Sequence, residues 1–367
     1  MAPYNKTLGI PHALTSVMWL CGPIAGLIVQ PCVGLYSDKC TSSLGRRRPF
    51  ILTGCIIICI SVIVIGFSSD IGYALGDTTE DCKVYRGPRY HAAAAFILGF
   101  WLLDFSNNTV QGPARALMAD LSGRHGPSAA NAIFCSWMAL GNILGYSSGS
   151  TNDWHKWFPF LMTRACCEAC ANLKAAFLVA VVFLGLSTAV TMVFAREVAL
   201  DPVAAAKRNE GEASGLLAVF KGMKNLPVGM PSVLIVTGLT WLSWFPFILF
   251  DTDWMGREIY HGRPDGSPAE VTAFQEGVRQ GAFGLLLNSL AASRGGGQGL
   301  CTGVLNISIV VPQMAIALGA GPWDELFGEG NIPAFAMASV FAAAAAAAGV
   351  VLLPKVSVRS VSMAGGH

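Results

Sequence analysis

The sequence predicts an all-α integral membrane protein of about nine transmembrane helices, and three observations carry that prediction. Charged residues make up 13% of the 367-residue chain and hydrophobic ones 53%, about half the charged share of an ordinary soluble domain. The few charges are bunched between long uncharged runs, whereas a water-soluble protein of this length spreads them over its surface. The mean hydropathy is +0.53. A net charge of +2 is too small to point to nucleic acid as a partner.

Stretches long enough to cross about 30 Å of hydrocarbon at 1.5 Å per residue fall at 13–37, 50–69, 92–115, 126–150, 175–195, 229–250, 280–293, 299–319 and 332–353. The seventh, Gln280 to Ser293, has about fourteen residues and is expected to be a strained span. The ninth contains the alanines Ala342 to Ala348, strong helix formers that add little lipophilic area. No cleavable signal peptide is expected, because Met1 to Pro11 is short and polar. Lys39 with Arg46, Arg47 and Arg48 marks the first connection as cytoplasmic, which puts the N-terminus outside. Residues 1–195 then form an N-terminal bundle, 196–228 a flexible cytoplasmic connector, 229–354 a C-terminal bundle and 355–367 a cytoplasmic tail.

Seven of the eleven cysteines lie in or beside apolar spans, where packing is the default role. Cys82, Cys166, Cys167 and Cys170 fall in two outward loops, where an oxidising environment permits a disulfide between Cys82 and one of the other three. Cys167-x-x-Cys170 lacks a second ligand pair, so no metal is expected, and nothing implies a cofactor. Arg294-Gly-Gly-Gly297 lacks the Gly-Lys-Ser/Thr of a phosphate loop and reads as a turn. Asn5-Lys6-Thr7 is a glycosylation triplet of a kind common by chance.

The third span carries an acid in its middle. Asp104, Asn107, Asn108, Gln111 and Arg115 fall at i, i+3, i+4, i+7 and i+11, one polar stripe on a helix whose Phe100, Trp101, Leu102 and Leu103 lie mostly elsewhere. Such a stripe faces protein or a water-filled cavity. Asn and Gln also glue helices together, but five polar positions including both signs of charge exceed that need. Intramembrane charges mark substrate or proton pathways, so Asp104 is the leading candidate. Arg115 lies about 16 Å along the axis, too far for direct pairing, and reads either as an interfacial anchor or as a gating residue. Asp251, Asp253, Arg257 and Glu258 follow the aromatic Trp241 to Phe247 segment and read either as a solvated loop or as a gate. His12 has too little context for a role.

Between the first two spans the chain reads Gly34-Leu-Tyr-Ser-Asp38-Lys, then Gly45-Arg46-Arg47-Arg48-Pro49. This resembles the loop signature of the major facilitator superfamily, in which the acid and the basic residues tie helix ends together. Trp19-Leu-Cys-Gly-Pro23, Leu103-Asp-Phe-Ser-Asn-Asn108, Gln111-Gly-Pro-Ala-Arg115, Trp154-His-Lys-Trp-Phe-Pro159, Trp241-Leu-Ser-Trp-Phe-Pro246 and Arg294-Gly-Gly-Gly-Gln-Gly299 resemble the plant sucrose/proton symporters within it. The resemblance covers nearly the whole chain. It implies the two-bundle major facilitator fold, no enzymatic activity, and a membrane aspartate at Asp104 that couples proton to sugar. Arg115, Asp251, Arg257 and Glu258 match charged positions implicated in transport. Sucrose or related glucosides, protons and the lipid bilayer are the implied partners, with homo- or hetero-oligomers of full-length relatives also open. The plasma membrane is preferred over the vacuolar membrane. The sequence departs from the family's twelve-span pattern in two places: its first helix is missing, and about two helices are absent near Ser289 to Leu290. The expected activity is proton-coupled sucrose transport, and the alternative is a shortened, non-transporting chain that associates with full-length relatives.

Overall fold

The computed structural model describes Leu8 and residues 18–79, 87, 89–123, 126–151, 153–195, 197, 229–264, 266–292, 302–327 and 331–353. Among the described residues nine helices are long: α1 (Cys21–Asp38), α2 (Arg48–Gly66), α3 (Tyr90–Leu121), α4 (Gly126–Ser150), α5 (Glu168–Phe194), α6 (Met230–Trp254), α7 (Pro268–Ala292), α8 (Thr302–Leu326) and α9 (Ile332–Leu352). Three short helical pieces join them, Ser68–Ala74 after α2 and Trp154–Trp157 and Pro159–Leu161 before α5. The described residues are built of helices, as an all-α membrane protein requires. By length and apolarity alone α2, α5, α6 and α9 qualify as spans, and α6 does so together with the π-helical turn that follows it.

α7 falls short of that apolar standard because its first half carries charges. It runs as a helix for 25 residues, longer than the fourteen-residue apolar stretch expected, which lies in its second half. Its first half carries charges that bond one another: Arg279 Nε donates to Glu276 at 2.8 Å, and Gln280 Nε2 donates to the same carboxylate at 3.0 Å. A second correction concerns Asp251 and Asp253. They are not in a solvated loop but buried in α6, whose helical path continues through Met255–Ile259.

α3 lies against α1 and α2, α2 also against α5, and α6 against α8 and α9; α4 with α7, and α1 with α8, join the first five helices to the last four. Ile65, Phe96, Phe100, Leu161 and Ala175 form one core, Ile51, Cys55 and Leu117 a second, and Phe245, Phe250, Ile316 and Ala334 a third. α3 is the spine of the first group. Its 32 residues reach about 48 Å, longer than the hydrocarbon layer, with Pro113 inside.

Candidate functional site

α3 starts where a carboxylate receives its free amides. Asp77 accepts from the backbone N–H of Ala92 at 2.8 Å and of His91 at 3.4 Å, and touches the His91 ring nitrogen Nδ1 at 2.8 Å. Burial pushes the Asp77 carboxyl up, but these hydrogen bonds outweigh it and hold the group below its ordinary value.

Along the helix from there, Asp104 is half-buried and faces α1 at Gly22, where an added Cβ would stand 3.4 Å from Asp104 Oδ2. Next to Gly22, Cys21 Sγ lies 3.7 Å from the Trp101 carbonyl. Asn108 Nδ2 donates to the backbone carbonyl of Asp104 at 2.9 Å, so its amide stays on its own helix. Gln111 accepts a hydrogen bond from Gln30 of α1. Arg115 lies over the Phe134 ring of α4, 4.7 Å from its centroid, with a buried Nε that has no hydrogen-bond partner among the described residues. Asn107 is exposed. The stripe therefore runs down the α1 side of α3 and bends toward α4 at Arg115.

The C-terminal candidates form a separate group. Asp253 Oδ2 accepts from Arg257 Nε at 3.1 Å and from Asn331 Nδ2 at 3.0 Å, while the Asn331 backbone N–H donates to Glu258 at 3.3 Å. The π-helical turn brings Arg257 and Glu258 to these partners and docks the start of α9 onto α6. Asp251 lies apart from them, against Gly281 of α7, where an added Cβ would stand 3.4 Å from Oδ2. Asn331 was not singled out from the sequence, because a lone Asn before an apolar run reads as an ordinary helix start.

The loop motif is a dense charge cluster. Arg47 pairs with Asp38, donates to Ser37 Oγ at 2.6 Å and lies 3.6 Å from Asp120. Arg46 bonds Asp120 at 2.8 Å, and Arg48 donates to the Met192 carbonyl. Glu197, just past α5, accepts the Arg47 backbone N–H at 2.8 Å. Gly45 sits at φ 105°, and a Cβ there would come within 2.5 Å of Glu197. Ser37 Oγ donates to the Gly34 carbonyl at 2.9 Å. The arginines thus bind helix ends, and Asp120 and Glu197 are their unforeseen acceptors.

Cys166 and Cys170 form a disulfide with each other, which removes both as partners for Cys82. Cys167 is also disulfide-bonded, and Cys82 lies outside the described residues. Among the described residues no group of three His, Cys, Asp or Glu side chains is arranged to hold a metal.

Residues 3–124 match the family described as MFS/sugar transport protein. The chain is similar to Sucrose transport protein SUT3 of Oryza sativa subsp. japonica, 79% identical over 460 aligned positions that include the whole chain and 91% of that protein. Sucrose transport protein SUT1 of the same subspecies is 59% identical over the whole chain and 86% of its own length. Sucrose transport protein SUT5 is 46% identical, with the whole chain and 86% of its length covered. An alignment of 460 positions holding 367 residues leaves 93 positions of the first relative opposite gaps. Since 79% of 460 is about 363, nearly every residue of the chain is shared, and the difference is chain left out and not chain altered.

Proposed function

The chain belongs to the sucrose transport proteins of the major facilitator superfamily, and from that premise we propose that it carries sucrose across a membrane together with a proton, Asp104 being the proton-coupling group. The family are transporters and not enzymes. The observation that supports the role of Asp104 is its place: a half-buried carboxyl within a long helix, packed closely against a glycine of α1. Asp104 takes a proton from the outer side, and the resulting carboxyl both donates to and accepts from sugar hydroxyls. Sugar and proton then cross together as the two helix groups rock. A proton crossing 100 mV contributes about 2.3 kcal/mol, and one pH unit about 1.4 kcal/mol more, enough for sugar accumulation of roughly several-hundred-fold.

In this reading Asn107, Asn108 and Gln111 line the polar path, and Arg115 closes its far end. Asp251, Arg257 and Glu258 serve a gate at the end of α6, and the plasma membrane is the site of action. The 93 positions missing opposite the first relative favour a second reading, in which the chain no longer completes the cycle and instead associates with full-length relatives. Radiolabelled sucrose uptake by transport-deficient cells expressing the chain separates the two. Protonophore-sensitive uptake supports transport. No uptake, combined with inhibition of a co-expressed full-length relative, supports the second reading.

A further inference from the structure

Beyond the stripe on α3, we propose that Asn142, with Tyr146 one turn further along, forms the α4 wall of the sugar site, the Asn142 carboxamide hydrogen-bonding a hydroxyl of the disaccharide. The proposal rests on the sucrose-transport reading.

The depth of Asn142 follows from the register of α3 and α4. The two helices touch and are separated only by residues 122–125, so they run antiparallel. Their register is set where Arg115 of α3 lies over Phe134 of α4. Eight residues back along α3 and eight forward along α4, each about 12 Å, bring Asn107 level with Asn142. A further turn brings the Asp104 level to that of Tyr146. Asn142 therefore stands at the depth of the polar stripe, on the neighbouring helix.

The surroundings of Asn142 are open and its bonding capacity is unused. Asn142 and Asn107 are both exposed, and among the described residues no hydrogen bond reaches the Asn142 side chain. An added Cβ at Gly141 or at Gly145 would meet nothing within 4 Å. A carboxamide has two donor hydrogens and two acceptor lone pairs, and leaving them bare against hydrocarbon is costly. Asn142 and Tyr146, four residues apart, share one helix face. α4 packs against α7, which places it beside the last four helices. Two uncharged amides on adjacent helices, beside an acid and a tyrosine ring, provide the mixed donors, acceptors and apolar surface that a polyhydroxylated ring needs.

The test is equilibrium binding of radiolabelled sucrose to the purified full chain in lipid nanodiscs. Asn142→Ala is expected to weaken binding about fivefold or more, the loss of one hydrogen bond to the ligand. Gly141→Leu leaves Asn142 in place but fills the open space beside it, and is expected to weaken binding at least as much. Val193→Ala, on an exposed part of α5, is expected to leave binding unchanged. Each protein is taken only if it elutes as a single species, and if Asn142→Ala does not, Gly141→Leu decides. Unaltered affinity in both variants, with sucrose binding by the unmodified chain intact, would overturn the proposal alone. Absence of binding by the unmodified chain would overturn the proposal together with the transport reading.

Discussion

Lys174 and Asp70 form an ion pair in which the lysine side chain is wholly buried. The same ammonium donates to the Leu161 carbonyl at 3.3 Å and lies 4.8 Å from the centre of the Phe67 ring. Asp70 also accepts from Thr163 Oγ1 at 2.6 Å. One buried charge thereby joins α5, the segment before it and the short helix after α2. Removing one partner of such a pair is strongly destabilising, because it leaves a buried charge without compensation. Asp70→Asn should lower stability by about 3 kcal/mol. Adding Lys174→Met to that variant should recover part of the loss. Thermal unfolding in detergent measures both, and equal losses in the single and double variants would show that the pair is not coupled.

Gly45→Ala should lower stability by about 1–3 kcal/mol, since its φ of 105° suits glycine and the new methyl group would run into Glu197. Shortening the acceptor in a Gly45→Ala, Glu197→Asp double variant relieves the contact but not the backbone strain, so recovery should be incomplete. The readout is the same unfolding curve.

Asp77→Ala should cost about 1 kcal/mol by leaving the first amides of α3 without their acceptor. Because the folded protein holds the Asp77 carboxyl below its ordinary value of 3.8, its contribution is complete above that value and is lost as pH falls through the lower folded one. Unfolding midpoints of the parent and the variant should therefore differ at pH 7 and converge at strongly acid pH. A difference that grew on acidification would contradict the sign.

Alkylation of the denatured chain should spare Cys166 and Cys170 until a reductant is added, whereas the free Cys135 should react without one. Peptide mass spectrometry distinguishes them. Modification of Cys166 before reduction would rule out its bond to Cys170.

The long uncharged runs and the polar stripe were legible in the sequence because helical periodicity and hydropathy depend on near neighbours alone. Asp104, Asn108 and Gln111 could be placed on one side of α3 by spacing, and the basic triplet by its position between spans. What escaped depends on contacts between distant parts of the chain. Glu197 becomes an acceptor for Arg47 only when α5 ends beside α2, and Asp120 meets Arg46 across 74 residues of sequence. The burial of Lys174 arises from the fold around it and has no signal in the sequence. The first half of α7 was missed for a different reason: Glu270, Glu276 and Arg279 break the apolar run, although the helix continues through them.

Sucrose-evoked proton movement in proteoliposomes that contain only this chain tests the account most directly. With sucrose added outside, the account predicts an alkalinisation of the external medium that a protonophore abolishes and that Asp104→Asn removes, while the protein remains folded. Sucrose entry with no accompanying proton movement, or proton movement indifferent to Asp104→Asn, would contradict it.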